Sequence, residues 1–459
     1  MIYRFLKIVV GLAVKLYFRK ITVKNLEFVP NDTPIIFAPN HPGAFMDPIV
    51  IASVLKQQLH FLARGESFSN SVSRWIFGNL NMIPIYRPSE TPELMHKNKD
   101  VFKKACDLLE KKGAIIIFPE GSSKTERRIR KVKTGAVRIA MEAEAQHDYA
   151  LGVKIIPIGL NYANLHRFKS DVFINIAEPI SVSDYAKEYK EDQFGTVNKI
   201  TGLIQAQLEA HTVVVSEELD QFMREVEEIY KLDLKREAKI DKRDKEGDFR
   251  ISKDIAEAVA YYHREEPLRL SRIRQKVEDY TMGLKRLELK DHALGKNKSG
   301  DALVKGVGRT IIQAILGFPF FLYGAVNNFL PYRIPGIFAR MSRPDFHAAV
   351  SLSTGIVTFG TFYTLQIWAF DNYVTTAYFT YWATFLYGIT LPVTGLFSVI
   401  YWRVLIKKRE RWHFVSSFYR KTALTTRLIA MREEIIEELN SAKNDYLNIQ
   451  DNAAAQTNV

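Results

Sequence analysis

The sequence has very little cysteine, and this excludes several kinds of protein. Cys106 is the one cysteine among 459 residues. No disulfide can therefore form within the chain, and a reducing, cytosol-facing compartment is indicated for its folded part. A cysteine cluster and a His-Glu-x-x-His motif are also missing, which argues against a zinc site. A Gly-x-Ser-x-Gly elbow is missing as well, so a serine hydrolase is disfavoured.

Acidic residues are fewer than basic ones. The chain has 64 Lys plus Arg against 51 Asp plus Glu, a formal net charge of +13. Such an excess suits nucleic acid, anionic lipid or phosphorylated metabolites. Because the sequence shows neither zinc-finger spacing nor a recognition-helix signal, we expect no nucleic-acid partner. The placement of the apolar residues points to a membrane instead.

Charge is scarce over one long stretch near the C-terminus. Between Ala348 and Trp402 the one charged residue is Asp371. A single crossing of a bilayer needs about 20 residues, so two spans are predicted, at about 348–370 and 373–401, with a tight turn at Asp371-Asn372. Lysine and arginine flank this stretch on both sides but do not occur in the turn. The positive-inside rule then places both ends, and the catalytic domain, on the cytoplasmic face of an integral membrane protein.

Two further apolar stretches are predicted to contact lipid. Residues 310–332 are uncharged but contain Pro319 and have basic residues on both sides. A re-entrant or interfacial hairpin that bends near Pro319 would keep both flanks on one side of the membrane, and we prefer it to a full span. Residues 2–18 form an apolar segment with three basic residues, which predicts an interfacial helix.

The sequence predicts five segments. Residues 1–29 form the N-terminal interfacial membrane helix, 30–215 a catalytic domain, 216–300 a charged helical region, 301–402 the membrane region, and 403–459 a C-terminal amphipathic helix with a tail. The second segment alternates short β-branched apolar runs with helical patterns, which is typical of an α/β fold with a buried sheet. Its predicted strands are Pro34–Ala38, Phe61–Ala63, Met82–Tyr86, Ala114–Phe118, Lys154–Leu160 and Val172–Ile176.

Four groups of polar residues follow predicted strands in this α/β segment, where the ligands of such folds gather. His41 and Asp47 flank a tight Pro-Gly turn, and a His beside a carboxylate can act as an oriented general base. Arg64 and Arg87 each follow an apolar run, and a guanidinium suits a phosphate. Phe118-Pro119-Glu120-Gly121-Ser122 is followed by six Lys or Arg up to Lys133. Each group taken alone has a competing interpretation. Asp47 would cap a helix, Arg64 and Arg87 would lie in solvated loops, and the basic loop would contact anionic lipid.

In this order, the motifs resemble those of the glycerolipid acyltransferases that act on glycerol-3-phosphate, dihydroxyacetone phosphate or lysophosphatidate. The resemblance covers about residues 30 to 215. The common family pattern has four residues between His and Asp, whereas five lie between His41 and Asp47. That longer turn, together with a C-terminal membrane region, is similar to the fungal glycerol-3-phosphate/dihydroxyacetone-phosphate acyltransferases. The resemblance implies an acyltransferase-like sheet flanked by helices. Arg64 is a second departure, because many relatives have Lys there.

The resemblance also implies roles for individual residues. His41 would remove a proton from the acceptor hydroxyl, and Asp47 would orient the imidazole. Arg87 would bind the acceptor phosphate, Glu120 and Gly121 would position the acceptor, and Lys133 or Arg64 would add positive charge. Ile156-Pro157-Ile158 would help to form the acyl-chain side.

The implied partners are a lipid bilayer, an acyl thioester donor and a phosphorylated glycerol or lysophospholipid acceptor. Acyl-CoA or acyl carrier protein would enter as a donor substrate, and no cofactor or metal is expected. Two alternatives remain open: a phospholipid transacylase that does not need CoA, and a non-catalytic membrane adaptor with the same fold. The presence of His41, Asp47 and Glu120 argues against the adaptor.

Overall fold

The computed structural model describes residues 2–68, 70–87, 91–241, 243–294, 300–374, 380–420 and 422–457. The chain divides into two compact units. The first consists of Met1–Glu217 and Phe338–Ser353, and the second of Glu218–Ile337 and Thr354–Val459.

The first unit is built on a mixed eight-stranded sheet. Its strands are β1 Lys20–Lys24, β2 Ile35–Pro39, β3 Leu59–Arg64, β4 Met82–Ile85, β5 Ala114–Ile116, β6 Lys154–Tyr162, β7 Asp171–Ile176 and β8 Ile180–Ser181. They lie in the order β1-β7-β6-β2-β5-β3-β4, with β8 paired to β6. The central strands β6, β2, β5, β3 and β4 are all parallel, and β7 runs antiparallel to β6.

Helices cover this sheet. They are α1 Ile2–Tyr17, α2 Met46–Val54, α3 Ser71–Asn79, α4 Asn98–Glu110, α5 Gly135–Ala145, α6 Ala186–Glu191 and α7 Gln193–His211. Short 3₁₀ segments occur at Leu26–Phe28, Gly65–Phe68, Pro92–Lys97 and Val182–Tyr185. The predicted α/β class, with a sheet flanked by helices, is confirmed.

The central strands form where the sequence is continuously apolar. All five residues of β2 and all three of β5 are buried. A strand that is covered on both faces cannot alternate with polar residues, and this is why these runs were recognisable in the sequence. Helix α5 packs closely against the sheet because its inner face carries small side chains, Ala136, Ala140 and Ala143, which are all buried.

All six predicted strands are present, but the sheet also contains β1 and the two-residue β8, neither of which was predicted from the sequence. Strand β1 pairs in parallel with β7 from Lys20 to Lys24. Its Lys-Ile-Thr-Val-Lys sequence alternates polar and apolar residues, as edge strands do. The predicted boundary at residue 29 therefore falls after a strand that is already part of the sheet.

Helix α1 is joined to the same unit by Lys7. The Lys7 ammonium donates hydrogen bonds to the carbonyls of Leu55, Lys56 and Gln57 at 2.8, 3.2 and 2.9 Å. These carbonyls follow the end of α2, where a cation is favoured by the helix dipole. Burial lowers the pKa of Lys7. The interfacial role of α1 stays a prediction.

The second unit is helical. Its elements are α8 Asp220–Glu237, α9 Lys245–Glu265, α10 Pro267–Arg286, α11 Asp291–Leu294, α12 Gly300–Met341, α13 His347–Tyr373, α14 Thr380–Arg420 and α15 Thr422–Thr457. The C-terminal end of α12 and the N-terminal end of α13 lie within 338–353 and belong to the first unit. Arg432 of α15 bonds to Asp291 at 2.7 Å and to Asp233 at 2.8 Å, and Tyr280 donates to Asp291 at 2.8 Å. These bonds attach the last helix to α8, α10 and α11.

Among the described residues, three helices are long and apolar enough to cross a membrane. The candidate spans are Ile312–Met341, Pro344–Tyr373 and Tyr381–Ile406. The last two correspond to the two predicted spans, although α13 continues past the predicted turn to Tyr373 and residues 375–379 lie outside the described residues. The three helices suggest membrane association.

The structure differs from the predicted hairpin at 310–332. Helix α12 continues through Pro319, as well as through Pro331 and Pro335, without reversing. Prolines are tolerated in apolar helices when neighbouring helices satisfy the freed backbone groups. Helix α14 lies against α12 so closely that a Cβ built on Gly324 would be 2.2 Å from the Thr394 carbonyl oxygen. Small residues at helix contacts permit this approach.

A buried carboxylate on α5 gives a test of the fold. Glu144 is fully buried and accepts backbone N–H bonds from Leu151 at 3.2 Å and Val153 at 2.5 Å. In Glu144→Ala both donors would lose their partner. We expect the free energy of unfolding to fall by about 2 kcal/mol and the melting temperature by about 4 to 8 °C. Thermal unfolding of the detergent-solubilised chain measures this.

The matched control is Glu142→Ala, the same substitution on the exposed face of the same helix. Its effect should stay within about 0.5 kcal/mol. Equal melting temperatures for the two variants would show that the Glu144 bonds do not stabilise the connection between α5 and β6.

Candidate active site at the carboxyl edge of the sheet

The sheet brings the predicted site residues to one edge. Strands β2, β5, β3 and β4 are adjacent and parallel, so the segments that follow them begin on the same side. At this edge lie Asn40-His41 after β2, Phe118 to Gly121 after β5, Arg64 at the end of β3 and Arg87 after β4. The structure thus confirms that these four groups share one edge of the sheet.

His41 and Asp47 form a hydrogen-bonded pair. The Nδ1–H of His41 donates to Asp47 Oδ2 at 2.8 Å. Asp47 is fully buried, whereas the side chain of His41 is 17% exposed. The imidazole also stacks on Phe118, with ring centroids 3.8 Å apart and planes inclined by 20°. Both contacts fix the orientation of the ring, and Nε2 is the nitrogen directed away from the carboxylate.

Two further donors satisfy the buried Asp47 carboxylate. The backbone N–H of Gly43 donates to Oδ2 at 2.7 Å, and the hydroxyl of Tyr162 donates to Oδ1 at 2.8 Å. Burial, together with the charge of Asp47, raises the pKa of Tyr162 well above its ordinary value. Tyr162 therefore keeps its proton and remains a donor at any physiological pH. Sequence analysis missed Tyr162, although it ends β6, which is parallel to β2.

The turn between His41 and Asp47 contains a left-handed residue. Ala44 has φ +47°, and its backbone N–H donates to Ser123 Oγ at 2.8 Å. This conformation costs a non-glycine residue about 1–2 kcal/mol, so the bond to Ser123 helps to hold it. Gly43 must be glycine, because a Cβ there would lie 2.5 Å from an Asp47 carboxylate oxygen. In this way a turn with five intervening residues still closes the His41–Asp47 bond.

Glu120 binds the backbone of the same turn. Its Oε1 accepts the N–H of His41 at 2.8 Å, and its Oε2 accepts the N–H of Arg130 at 3.0 Å. Burial raises the pKa of Glu120, while these hydrogen bonds act in the opposite direction. The carboxylate thus connects the His41 turn to the basic segment 124–133. Both carboxylate oxygens of Glu120 therefore have backbone partners, and the role in positioning the acceptor that the resemblance implies for Glu120 stays a prediction.

The basic segment returns to the site at Lys133. Gly121 has φ +71°, and a Cβ built on it would lie 2.7 Å from Lys133 Nζ, so the lysine side chain lies across this glycine. Arg130 bonds to Ser122 at 2.6 Å and to Glu126 at 2.8 Å. The arginine is thereby held beside the segment that follows β5.

The two other arginines follow the outer strands. Arg64 ends β3 next to Ile85 of β4 and is exposed, whereas Arg87 is half-buried. Asn98 fixes the chain just before Arg87, because it accepts the N–H of Tyr86 at 3.0 Å and donates to its carbonyl at 2.8 Å. Ile156-Pro157-Ile158 is buried within β6 beside β2, and therefore supports the site from inside the sheet.

The arrangement suits proton transfer. An imidazole held by a buried carboxylate can take a proton from a hydroxyl, and cationic side chains at the same edge suit an anionic reactant. Within the described ranges, no group of three or more His, Cys, Asp or Glu is placed to hold a metal ion.

Comparisons with known proteins give a family match and several partial matches to curated proteins. Residues 20–161 match the family model described as Acyltransferase. Glycerol-3-phosphate O-acyltransferase 2 of Saccharomyces cerevisiae is 34% identical over 104 residues, which are 22% of this chain and 14% of that protein. The chloroplastic 1-acyl-sn-glycerol-3-phosphate acyltransferase LPAT1 of Arabidopsis thaliana is 27% identical over 144 residues, which are 31% of this chain and 36% of that protein.

One solved structure is also similar. The 1-acyl-sn-glycerophosphate acyltransferase PlsC from Thermotoga maritima is 19% identical with a TM-score of 0.33, covering 45% of this chain and 80% of that chain. The aligned parts of the two curated relatives above span 14% and 36% of their lengths. The resemblance to glycerolipid acyltransferases predicted from the motifs is confirmed.

The bond from Tyr162 to Asp47 gives the second testable prediction. Tyr162→Phe removes a hydrogen bond to a charged, fully buried carboxylate, and we expect the free energy of unfolding to fall by about 2 kcal/mol. Thermal or urea unfolding of the full chain measures this. Tyr17→Phe is the control, because it removes a 3.2 Å bond to the neutral carbonyl of Leu165 in the same unit. Its expected cost is about 1 kcal/mol; a larger loss in Tyr17→Phe than in Tyr162→Phe would contradict the assignment.

Proposed function

We propose that this chain is a membrane-bound O-acyltransferase of phospholipid biosynthesis, a proposal supported by the match of residues 20–161 to the Acyltransferase family model. It transfers a fatty acyl group to a hydroxyl of a phosphorylated glycerol. The donor is a thioester, either acyl-CoA or an acylated acyl carrier protein. The acceptor is glycerol-3-phosphate, dihydroxyacetone phosphate or 1-acylglycerol-3-phosphate. The names of the relatives support the first and the last of these. The observation that carries the proposal is the 2.8 Å bond between His41 Nδ1 and the buried Asp47 within this domain.

His41 is the general base in this mechanism. With Nδ1 bonded to Asp47, Nε2 takes the proton of the acceptor hydroxyl, and Asp47 stabilises the imidazolium that results. The hydroxyl oxygen attacks the thioester carbonyl carbon and forms a tetrahedral intermediate. Its collapse breaks the carbon–sulfur bond, and the thiolate leaves with the proton returned from His41. No covalent acyl-enzyme is needed, because the base activates the acceptor directly.

Arg87 binds the phosphate of the acceptor. A guanidinium can hold a phosphate through two parallel hydrogen bonds, and Asn98 fixes the backbone immediately before Arg87. Lys133, which lies across Gly121, and Arg64 add positive charge at the same edge of the sheet. Glu120 acts indirectly, by fixing the backbone of His41.

Membrane attachment fits this chemistry. Acyl chains partition into a bilayer with about 0.8 kcal/mol per CH₂ group, so donor chains and lipid products are concentrated there. The three apolar helices support attachment. We place the catalytic domain on the cytoplasmic face, as the basic residues on both sides of the two predicted spans within 348–402 favour, and we assign no cofactor or metal to the reaction.

Release of CoA by the purified, detergent-solubilised chain tests this function. Oleoyl-CoA is the donor, and the three acceptors are supplied separately. Release with one acceptor identifies the substrate and the reaction class. If no acceptor supports release, an oleoylated acyl carrier protein is tried as the donor. A radiolabelled phospholipid is also tried as the donor, in order to detect a transacylase. Inactivity with all three donor types would sink the proposal and leave the non-catalytic adaptor.

Substitution of the base gives the third prediction. His41→Ala should lower kcat by at least about 100-fold, the range expected when general base catalysis is removed. Thermal unfolding should confirm that the variant is folded. His96→Ala, which removes an exposed histidine of the same unit, should keep full activity. Retained turnover in His41→Ala would refute the assignment of the base.

Substitution of Arg87 gives the fourth prediction. Arg87→Ala should raise the KM for the acceptor by about tenfold or more and change kcat less, because a charged hydrogen bond to the phosphate is lost on binding. Arg74→Ala, on exposed α3, serves as the control for a general loss of positive charge. An acceptor KM that stays the same in Arg87→Ala would show that the phosphate binds elsewhere.

A further inference from the structure

An aromatic residue of the His41–Asp47 turn contacts the segment between two candidate spans. Phe45 lies two residues before Asp47 and keeps 45% of its surface exposed. Its ring lies 5.3 Å from that of Phe346, with planes inclined by 31°. Phe346 belongs to the 3₁₀ segment Pro344–Phe346, and both residues are part of the first unit. A large apolar ring at this position is not needed to form the His41–Asp47 bond.

A second contact holds the same segment to the site. The rings of His347 and His166 pack edge to face with centroids 5.9 Å apart. Next to His166, Leu165 is buried and approaches the turn, since a Cβ built on Gly43 would lie 3.1 Å from its Cδ1. Phe346 therefore contacts the His41 turn directly through Phe45, and His347 contacts His166, whose neighbour Leu165 lies beside Gly43.

The segment 338–347 has the amino-acid composition typical of a protein segment at a membrane surface. Phe338 and Met341 are 52% and 79% exposed, and Arg340 and Arg343 beside them are exposed as well. Exposed apolar side chains mixed with arginine suit the level of the lipid phosphates. The segment also contains the end of the candidate span Ile312–Met341 and the beginning of Pro344–Tyr373. The contact with Phe45 thus involves the segment that joins two candidate spans.

We propose that the Phe45–Phe346 pair is the apolar entrance through which the hydrocarbon chain of the acyl donor reaches His41. The inference rests on the proposed acyl transfer and adds a specificity-determining role for these two residues. The occupant is a saturated or monounsaturated chain, because the exposed part of the Phe45 ring offers it apolar contact. Chains long enough to extend from the thioester past Phe45 to Phe346 gain this contact, whereas short chains do not.

The test compares a long and a short donor. Oleoyl-CoA and octanoyl-CoA are used with the acceptor that the wild type accepts, and kcat/KM is measured for Phe45→Ala and Phe346→Ala. We expect the ratio of kcat/KM for oleoyl-CoA over octanoyl-CoA to fall about tenfold in each variant, as for the loss of one to two buried methylene contacts. The octanoyl rate stays close to the wild-type value and shows that the variants are folded. The double variant falls little further, because both changes remove one contact.

Phe194→Ala is the matched control, since Phe194 is a 79% exposed phenylalanine on α7 in the same unit. Its ratio should stay within about twofold of the wild type. An unchanged ratio in the Phe45 and Phe346 variants overturns the entrance, and so does an equal loss with both donors, which indicates general damage to the turn. Either result leaves the proposed function standing. A wild-type chain that turns over neither donor overturns the proposed function and the entrance together.

Discussion

A buried carboxylate needs hydrogen-bond donors on every side, and the site is arranged around that requirement at Asp47. The residue is fully buried, and an unpaired charge there would cost several kcal/mol. Its donors come from the imidazole of His41, the backbone of Gly43 and the hydroxyl of Tyr162. The first two belong to the turn after β2, and the third ends β6. Satisfying one charge therefore fixes the turn, the neighbouring strand and the histidine ring at the same time.

Glu120 extends the same principle to the segment that follows β5. Both of its oxygens accept backbone N–H groups, one from His41 and one from Arg130. The histidine is thus held by its ring through Asp47 and by its backbone through Glu120. A site that is fixed before the substrate arrives loses little energy to reorganisation during the reaction. This explains why two carboxylates that do not contact the reactants in our mechanism are built so deeply into the domain.

The sequence contained most of the fold, because buried parallel strands appear as uninterrupted apolar runs. Strands β2, β5 and β6 were located within one or two residues for this reason. Strand β1 was not predicted because its five residues closely follow the apolar stretch 2–18 and were assigned with it to the N-terminal membrane helix, although their alternation of polar and apolar residues is typical of an edge strand. The continuous helix through Pro319 could not be foreseen, because the close approach of α14 at Gly324 is a property of the packed helices. A proline and flanking charges alone suggested a bend.

The site was predictable to the extent that its residues stand next to one another in the chain. His41, Asp47, Glu120 and Gly121 occur in short motifs, and the sheet places them at one edge as expected. Tyr162 lies 115 residues from Asp47, and only the pairing of β6 with β2 brings the two together. The bonds of Glu120 to the backbone N–H groups of His41 and Arg130 likewise join residues that no spacing in the sequence connects.

The left-handed Ala44 has a consequence for how such sites vary between proteins. The distance between His41 and Asp47 is fixed by their mutual bond and by Gly43, while Ala44 takes up the additional length as a local bulge secured by Ser123. The turn of five residues therefore closes the His41–Asp47 bond even though its left-handed position is not a glycine. A search pattern that requires four residues between the histidine and the aspartate would not match this chain. A pattern that requires a glycine after His41-Pro42 and a serine two residues after Gly121 would match it.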